Sequence, residues 1–205
     1  MHLTCLAIVG YALAAAPASP ATKTDEVRAK VAAYLATHDV AQAPDLHALS
    51  PAPGKALMAI ATDGHADGIV RARAVAALRL LPSPEVRAFL GRLVQDKAKA
   101  RDADDRLLLR RAAIALGWLS GPRACEQLAS LFDNDDPEVR VDAAIGLGLT
   151  RAAGAPRWLR RRLAVEKVAR VRDQIERQLR ALGQDPAGPQ KPPAPRQRQP
   201  MRSGF

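Results

Sequence analysis

The amino-acid sequence predicts an all-α protein built as an α-solenoid, a stack of antiparallel helix pairs, and three observations support this prediction. Of the 205 residues, 48% are hydrophobic but only 3% are aromatic, so small and aliphatic side chains must form the core. Apolar residues recur at helical spacing along most of the chain, and no strand pattern is evident. One helical segment also has weaker copies at nearly constant intervals, which is typical of solenoids.

The best-defined copy of this repeat is residues 135–148, Asp-Asp-Pro-Glu-Val-Arg-Val-Asp-Ala-Ala-Ile-Gly-Leu-Gly. Aspartate at the N-cap followed by proline at the first helical position is a strong helix start. Equivalent positions elsewhere are 38, 31 and 32 residues apart, and they are Val70, Leu108, Val139 and Val171. Periods in this range, with two helices in each unit, predict about four stacked units.

Residues 1–21 are predicted to be a secretory signal peptide. An apolar run at 3–16 is followed by small residues and prolines at 17–21, which is the pattern of a cleavable signal, and the run is too short for a stable membrane anchor. Cleavage is expected after Ala18 or Ala21. The two residues before the run carry no lysine or arginine, unlike most such signals. The mature protein, with no transmembrane segment, is therefore expected to be periplasmic or secreted.

Residues 22–62 are expected to form N-terminal helices that cap the solenoid. Thr24 as N-cap, with two acidic residues in the first turn, predicts a helix over 24–35. The prolines at 44, 51 and 53 predict a loop over 39–53, and a short helix is expected over 55–62.

The repeat domain is predicted to cover residues 63–182, and each of its helices has a recognisable start or stop. Ser83-Pro84, Asp136-Pro137 and Gly154-Ala155-Pro156 are helix starts, whereas Gly121-Pro122 and Gly183 are stops. The predicted helices are 69–81, 84–95, 106–119, 123–132, 137–149, 157–166 and 168–182. The remaining residues, 183–205, are rich in proline and polar side chains, so we predict a disordered tail.

The phrase at 136–148, Asp-Pro-Glu-Val-Arg-x-x-Ala-Ala-x-x-Leu-Gly, resembles the HEAT repeat, in particular the short HEAT-like type first noted in phycobilisome lyases. The resemblance to HEAT-like proteins of the bacterial type extends over about 63–182 and is strongest over 104–165. It departs from the pattern at Leu109, where an arginine is usual, and at Ile175, where an alanine is usual. The resemblance implies a right-handed superhelix.

The resemblance also implies a structural role for five polar residues. In HEAT-like proteins the arginine of the Val-Arg pair and a preceding aspartate often link neighbouring repeats through hydrogen bonds. The matching residues here are Asp67, Arg71, Asp136, Arg140 and Arg172. The alternative places these arginines on a concave wall facing an acidic partner. We favour the structural role.

Positive charge gathers at the C-terminal end of the chain. Residues 1–154 hold 18 Lys/Arg against 17 Asp/Glu, whereas residues 155–182 hold 9 against 3 and residues 183–205 hold 4 against 1. A solenoid needs a polar end cap but not a positive one, so this end is predicted to bind an anionic partner. An acidic protein, an anionic lipid or glycan surface, and nucleic acid all fit this charge, and we favour another protein with an acidic surface. The candidate residues are Arg157, Trp158, Arg160, Arg161, Arg162, Arg170 and Arg177.

Four apolar side chains of the repeats have specific expectations. Val165 and Val168 are expected to face inward with the leucines of the last two helices. Trp118 is expected to pack between two units. For Trp158 two interpretations remain, core packing and an aromatic surface for a ligand.

No residue pattern indicates catalysis, a metal or a cofactor. His38, His47 and His65 lie in or beside predicted helix ends and loops without the spacing of metal ligands. The segment 133–136, Asp-Asn-Asp-Asp, lacks the glycine and the distal glutamate of a calcium loop and fits a helix-start turn. Cys125 lies on an apolar helix face and is expected to be a buried thiol. We therefore predict a protein that is not an enzyme and has no cofactor.

Three functional hypotheses follow. The leading one is an exported, non-enzymatic scaffold that binds another protein. The second is a nucleic-acid-binding protein, because alkylpurine DNA glycosylases are also built from HEAT-like repeats with a basic concave face. The nearly neutral first 154 residues and the scarcity of aromatic side chains for base stacking weigh against it. The third, a lyase-like accessory protein, rests on fold resemblance alone.

Overall fold

The computed structural model describes residues 23–38, 41–184 and 186, and no strand occurs among them. The predicted signal peptide lies outside these residues, as does most of the predicted tail. The helices are α1 (Lys23–Thr37), α2 (Ala43–Leu49), α3 (Pro53–Thr62), α4 (Gly68–Ala77), α5 (Pro84–Lys97), α6 (Ala103–Ser120), α7 (Cys125–Ser130), α8 (Pro137–Leu149), α9 (Ala155–Leu163) and α10 (Ala169–Ala181). Short 3₁₀ turns at 78–80, 121–124 and 131–133 extend α4 and flank α7.

The helices form two layers. In the main layer α4, α6, α8 and α10 lie side by side, each packed closely against the next. In the second layer α3, α5, α7 and α9 touch one another at few points, and each packs against the main-layer helix that follows it in the chain. The repeat units are therefore the pairs α3–α4, α5–α6, α7–α8 and α9–α10. Helices α1 and α2 pack against the first of these pairs. This confirms the predicted all-α solenoid.

Small residues allow α6 and α8 to approach closely at the centre of the main layer. A Cβ atom added to Gly117 would overlap the backbone of Gly146, and a Cβ added to Gly146 would overlap the carbonyl of Ala113. Leucines fill the space on either side, and Leu108, Leu109 and Leu147 are fully buried. These aliphatic contacts form the core, which explains how the chain packs with so few aromatic rings.

The predicted helix starts and stops are confirmed where they carry a specific cap. The Ser83 side chain accepts a hydrogen bond from the N–H of Val86 at 3.1 Å. Asp136 accepts one from the N–H of Glu138 at 2.8 Å, and α8 has the predicted bounds. Gly183, directly after α10, has a φ of 69°, the left-handed conformation that often ends a helix.

Three local predictions were wrong. Residues 43–49 form α2 within the predicted loop, because Pro44 lies in its first turn, where proline favours a helix. Thr24 lies inside α1, which begins at Lys23, and so is not its N-cap. The helix predicted over 123–132 is divided into a 3₁₀ turn, α7 and a second 3₁₀ turn.

Candidate protein-interaction surfaces

A buried ion pair joins α8 to the turn between α9 and α10. The guanidinium of Arg140 donates to the carboxylate of Glu166 at 2.9 and 3.1 Å, and both side chains are buried. The same guanidinium donates to the backbone carbonyls of Asn134 and Asp135 at 2.9 and 3.0 Å. Glu166 also pairs with Arg162 at 2.6 Å. Arg140 therefore closes the turn in its own repeat and holds the next repeat against it.

The environment of Glu166 keeps its carboxylate ionised. Burial by itself raises the pKa of this group, but hydrogen bonds from Arg140, from the backbone N–H of Val168 and from Arg162 outweigh burial and lower the pKa to about 2. The ion pair is therefore present throughout the neutral and mildly acidic range.

Arg71 and Arg172, the other arginines of the predicted ladder, also bind backbone carbonyls at or just after the end of the preceding helix. Arg71 donates to the carbonyl of Ala61 at 3.3 Å. Arg172 donates to the carbonyls of Leu163 and Glu166 at 2.8 and 3.1 Å. These contacts satisfy acceptors at helix ends that have no partner within the helix.

In the α5–α6 unit a different arginine makes the corresponding backbone contact. Leu109, the equivalent of Arg140, is fully buried. Arg106, one turn earlier, donates to the carbonyl of Arg101 at 2.5 Å and reaches the carboxylate of Asp136 at 3.4 Å. The aspartates of the predicted ladder act mainly as N-caps, as Asp136 does for α8 and Asp67 does for α4.

An ion network crosses the main layer from α6 to α10. Arg110 of α6 pairs with Asp142 at 2.7 Å and with Glu138 at 3.2 Å, both on α8. The other oxygen of Glu138 pairs with Arg170 of α10 at 2.5 Å. Asp142 is buried, and burial raises its pKa even though the hydrogen bond from Arg110 lowers it. Arg110 is thus the main counterion of a desolvated carboxylate.

The structure divides the predicted partner-binding arginines into two groups. Four of them have side-chain contacts within the protein: Arg160 with Gln184, Arg162 with Glu166, Arg170 with Glu138 and Arg177 with Gln174. Arg157 and Arg161 are exposed on α9, and their side chains make no hydrogen bond or ion pair with described residues.

A groove between α7 and α9 brings Trp158, Arg161 and Arg162 together. Val165 extends one wall and is 64% exposed, so the prediction that it faces inward was wrong. Val168, at 38%, is also exposed. The reason is that α9 ends at Leu163, which leaves both valines in the turn that leads to α10. Glu126 and Asp133 are the acidic residues that line this groove, which we call the α7–α9 groove.

Trp158 both packs against the core and contributes to an exposed surface, as the two interpretations of the sequence proposed separately. Its ring is half-buried and packs against the core, and its remaining surface lines the α7–α9 groove. A half-buried aromatic side chain beside exposed arginines is a common arrangement at sites of protein recognition.

A second groove, which the sequence analysis missed, lies on the solvent side of the main layer between α4 and α6. Its lining includes Ile69, Ile114, Arg79 and Arg111, and we call it the α4–α6 groove. Trp118 lies one turn further along the same face of α6 and is 58% exposed, so its predicted packing between units was wrong. Leu116 and Gly117 occupy the buried positions of this helical turn, so the next residue, Trp118, lies on the solvent face.

One sequence signal pointed to this second groove. Ile69 and Leu107, and likewise Arg73 and Arg111, are separated by the same 38 residues as the repeats themselves. Equivalent positions on adjacent main-layer helices must lie side by side. The repeat offset therefore places two apolar residues and two arginines across from each other.

Residues 97–180 match the family model described as HEAT repeats. This part of the chain is a HEAT-repeat array. No curated protein and no solved structure matches the chain. HEAT repeats are generally protein-interaction scaffolds, and the matched residues include α6 to α9 and all of α10 except its last residue.

In the described residues no group of three or more His, Cys, Asp and Glu side chains is placed to hold a metal ion. Cys125 is buried, as predicted, with its Sγ 3.7 Å from the hydroxyl of Thr150. Across the same residues, every helix is too short or too polar to traverse a bilayer.

Proposed function

We propose that this protein is an exported, non-enzymatic scaffold that binds another protein through the basic surface of its last HEAT repeat. The observation that carries the proposal is the pair Arg157 and Arg161, which are exposed on α9 and have no counterion among the described residues. Arg161 lines the α7–α9 groove together with the partly exposed ring of Trp158.

The fold does not need these two arginines. Arg140 and Arg162 already neutralise the buried Glu166, and Arg160 is held by Gln184. Arginine binds carboxylates in a bidentate manner, and arginine and tryptophan are enriched among the residues that dominate binding energy. An acidic protein surface with an apolar centre is the partner that fits this combination.

The binding surface is tested by reversing both charges. The Arg157→Glu/Arg161→Glu variant should lose the partner in crosslinking pull-downs by about tenfold or more, because reversal turns attraction into repulsion. Arg92→Glu/Arg123→Glu is the matched control, since both residues are exposed and belong to the second-layer side of other repeats. Unchanged recovery with the first variant would contradict the proposal.

Nucleic-acid binding provides an independent check. A scaffold for proteins should bind DNA or RNA weakly at physiological salt. Tight binding whose logarithm falls steeply with the logarithm of salt concentration would favour the nucleic-acid hypothesis, because released counterions dominate that interaction.

Export is tested by cell fractionation and sequencing of the mature N-terminus. The proposal expects a mature chain that begins after Ala18 or Ala21 and is found outside the cytoplasm, in keeping with the apolar run at 3–16. An intact Met1 in the cytosol would refute export but would leave the proposed binding surface untouched.

A further inference from the structure

We propose that the α4–α6 groove is a second binding site, which takes an acidic protein segment whose aliphatic or aromatic side chains insert between the groove's arginines. The groove has a volume of about 470 Å³, within the range of sites that accept several side chains of a ligand. It lies on the main layer, whereas the α7–α9 groove lies on the second layer, so the two sites are separate surfaces.

The floor and rim of the groove supply apolar surface. Ile69 is 56% exposed at one end, Leu107 and Ile114 line the α6 wall, and Ala76 lines the α4 wall. Trp118, one turn beyond Ile114, extends the apolar strip along α6. An exposed apolar strip of this kind, rimmed by polar groups, is typical of an interaction site in a soluble protein.

The charges in the groove have one sign. Arg73, Arg79 and Arg111 line it, and no acidic side chain does so in the part of the chain that the structure describes. Arg73 already donates to the carbonyls of Leu35 and Ala36 at the end of α1. Arg79 and Arg111 make no side-chain hydrogen bond and no ion pair with described residues.

One carboxylate lies near the Ile69 end of the groove, far from Arg79. The carboxylate of Asp104 lies against Gly68, so closely that a Cβ atom at position 68 would overlap it. Asp104, which belongs to α6, therefore lies beside the first residue of α4, two turns or more from Arg79. A partner should place its acidic groups toward Arg79 and Arg111 and its apolar groups toward Ile69.

The next junction in the same layer shows that these charges are not required by the fold. At the positions equivalent to Leu107 and Arg111, α8 carries Glu138 and Asp142, which pair with Arg110. That junction is electrically satisfied within the protein. At the α4–α6 junction the same two positions of α6 are Leu107 and Arg111, and Arg111 makes no hydrogen bond and no ion pair with a described residue. A carboxylate of a partner can therefore pair with Arg111.

The apolar residues decide between a protein segment and a nucleic acid. A phosphate backbone would use the arginines but would leave the aliphatic Ile69 and Ile114 without a contribution, and Trp118, which could stack on a base, lies a turn beyond Ile114, outside the groove's lining. Glutamate or aspartate interspersed with leucine or phenylalanine satisfies both halves of the groove. The partner chemistry is therefore acidic and amphipathic.

The experiment measures fluorescence anisotropy with three short labelled peptides and a single-stranded oligonucleotide of similar length. The first peptide intersperses glutamate with leucine, the second replaces leucine with serine, and the third replaces glutamate with lysine. The full chain should bind the Glu/Leu peptide about tenfold or more tightly than each other probe, and added salt should weaken this binding.

Variants locate the binding. Arg111→Glu and Ile69→Ser should each weaken binding of the Glu/Leu peptide by about tenfold or more, since each removes one half of the recognition. Ile69 is more than half exposed, and Arg111 makes no hydrogen bond or ion pair with described residues. The circular dichroism spectrum and the thermal midpoint of both variants should therefore match those of the unmodified protein. Arg92→Glu on the second layer is the control and should bind normally.

The alternative outcomes each overturn the proposal. If the Glu/Ser peptide bound as tightly as the Glu/Leu peptide, recognition would depend on charge alone. If the oligonucleotide bound as tightly, the groove would be a nucleic-acid site. Self-association of the chain that Ile69→Ser abolishes would identify a second copy as the occupant. If Arg157→Glu/Arg161→Glu, but not Arg111→Glu, removed peptide binding, the inference would fail while the proposed function would stand.

Discussion

The α4–α6 and α6–α8 junctions are built from equivalent positions of the same repeat, yet they treat charge in opposite ways. Between α6 and α8 the buried Asp142 and the half-buried Glu138 face Arg110 at 2.7 and 3.2 Å. Between α4 and α6 the equivalent positions hold arginines and apolar side chains. The acids of the first junction are paired within the protein, whereas Arg79 and Arg111 of the second make no ion pair with described residues.

The comparison teaches how one repeat can serve both structure and recognition. Backbone contact at Gly117 and Gly146 and paired charges make the α6–α8 junction a rigid structural unit. The α4–α6 junction has the Arg71–Asp105 ion pair, at 4.0 Å, near the start of both helices, and beyond it aliphatic contacts join α4 to α6. Substitutions at equivalent positions should therefore affect stability at one junction and binding at the other.

The largest effect is expected from Gly117→Val, which should destabilise the protein by about 3 kcal/mol or more. A side chain at this position meets the backbone of Gly146, which cannot move without separating α6 from α8. Chemical denaturation measures the loss. Gly91→Ala on α5 is the control: its Cβ would meet only the Gln127 side chain, at 3.5 Å, and stability should rise by up to about 1 kcal/mol. A tolerated Gly117→Val would break the comparison.

Glu166→Gln should cost about 3 kcal/mol, because it leaves Arg140 buried without its counterion. Glu126→Gln is the matched control, since Glu126 is exposed, and its cost should be below about 0.5 kcal/mol. Similar costs for the two variants would show that the buried pair does not join the last two repeats.

The Glu166→Gln variant also isolates the part of the pH dependence of stability that comes from Glu166. The pKa of Glu166 is lowered from 4.5 in the unfolded chain to about 2 in the folded protein, so its contribution is complete above pH 4.5 and is lost as the pH falls toward 2. The stability difference between the native protein and Glu166→Gln should shrink over this window. Asp142 acts in the opposite direction, since burial raises its pKa, but it is common to both proteins. A difference that stays constant down to pH 2 would contradict the assignment.

The smallest effects on stability are expected from substitutions of the neighbouring Arg110 and Arg111, which compare the two junctions directly. Arg110→Gln should cost about 1 to 2 kcal/mol, because the buried Asp142 loses its counterion. Arg111→Gln should change stability by less than about 0.5 kcal/mol. Binding of the Glu/Leu peptide should show the reverse order, with a clear loss only for Arg111→Gln. Equal behaviour of the two variants in both measurements would remove the distinction between the junctions.

Much of the fold was predictable because capping residues and apolar spacing act locally. Asp136-Pro137 determined the start of α8, and the offsets between repeats identified the solenoid. The errors lie where local signals compete: proline suggested a loop at 43–49 but occupies the first turn of α2. The candidate arginines at 157 and 161 were named from charge accumulation, yet only the structure separated them from Arg162, whose partner is buried Glu166.

The sequence by itself determined the helices, the repeat and the basic end, since these depend on neighbours within a few turns and on composition. The tertiary structure alone decided which charges are paired and which apolar side chains remain exposed. Arg110 and Arg111 are adjacent in the chain, but one faces acids on α8 and the other faces solvent across from α4. Burial and distance across repeats decide that difference, and no local pattern contains them.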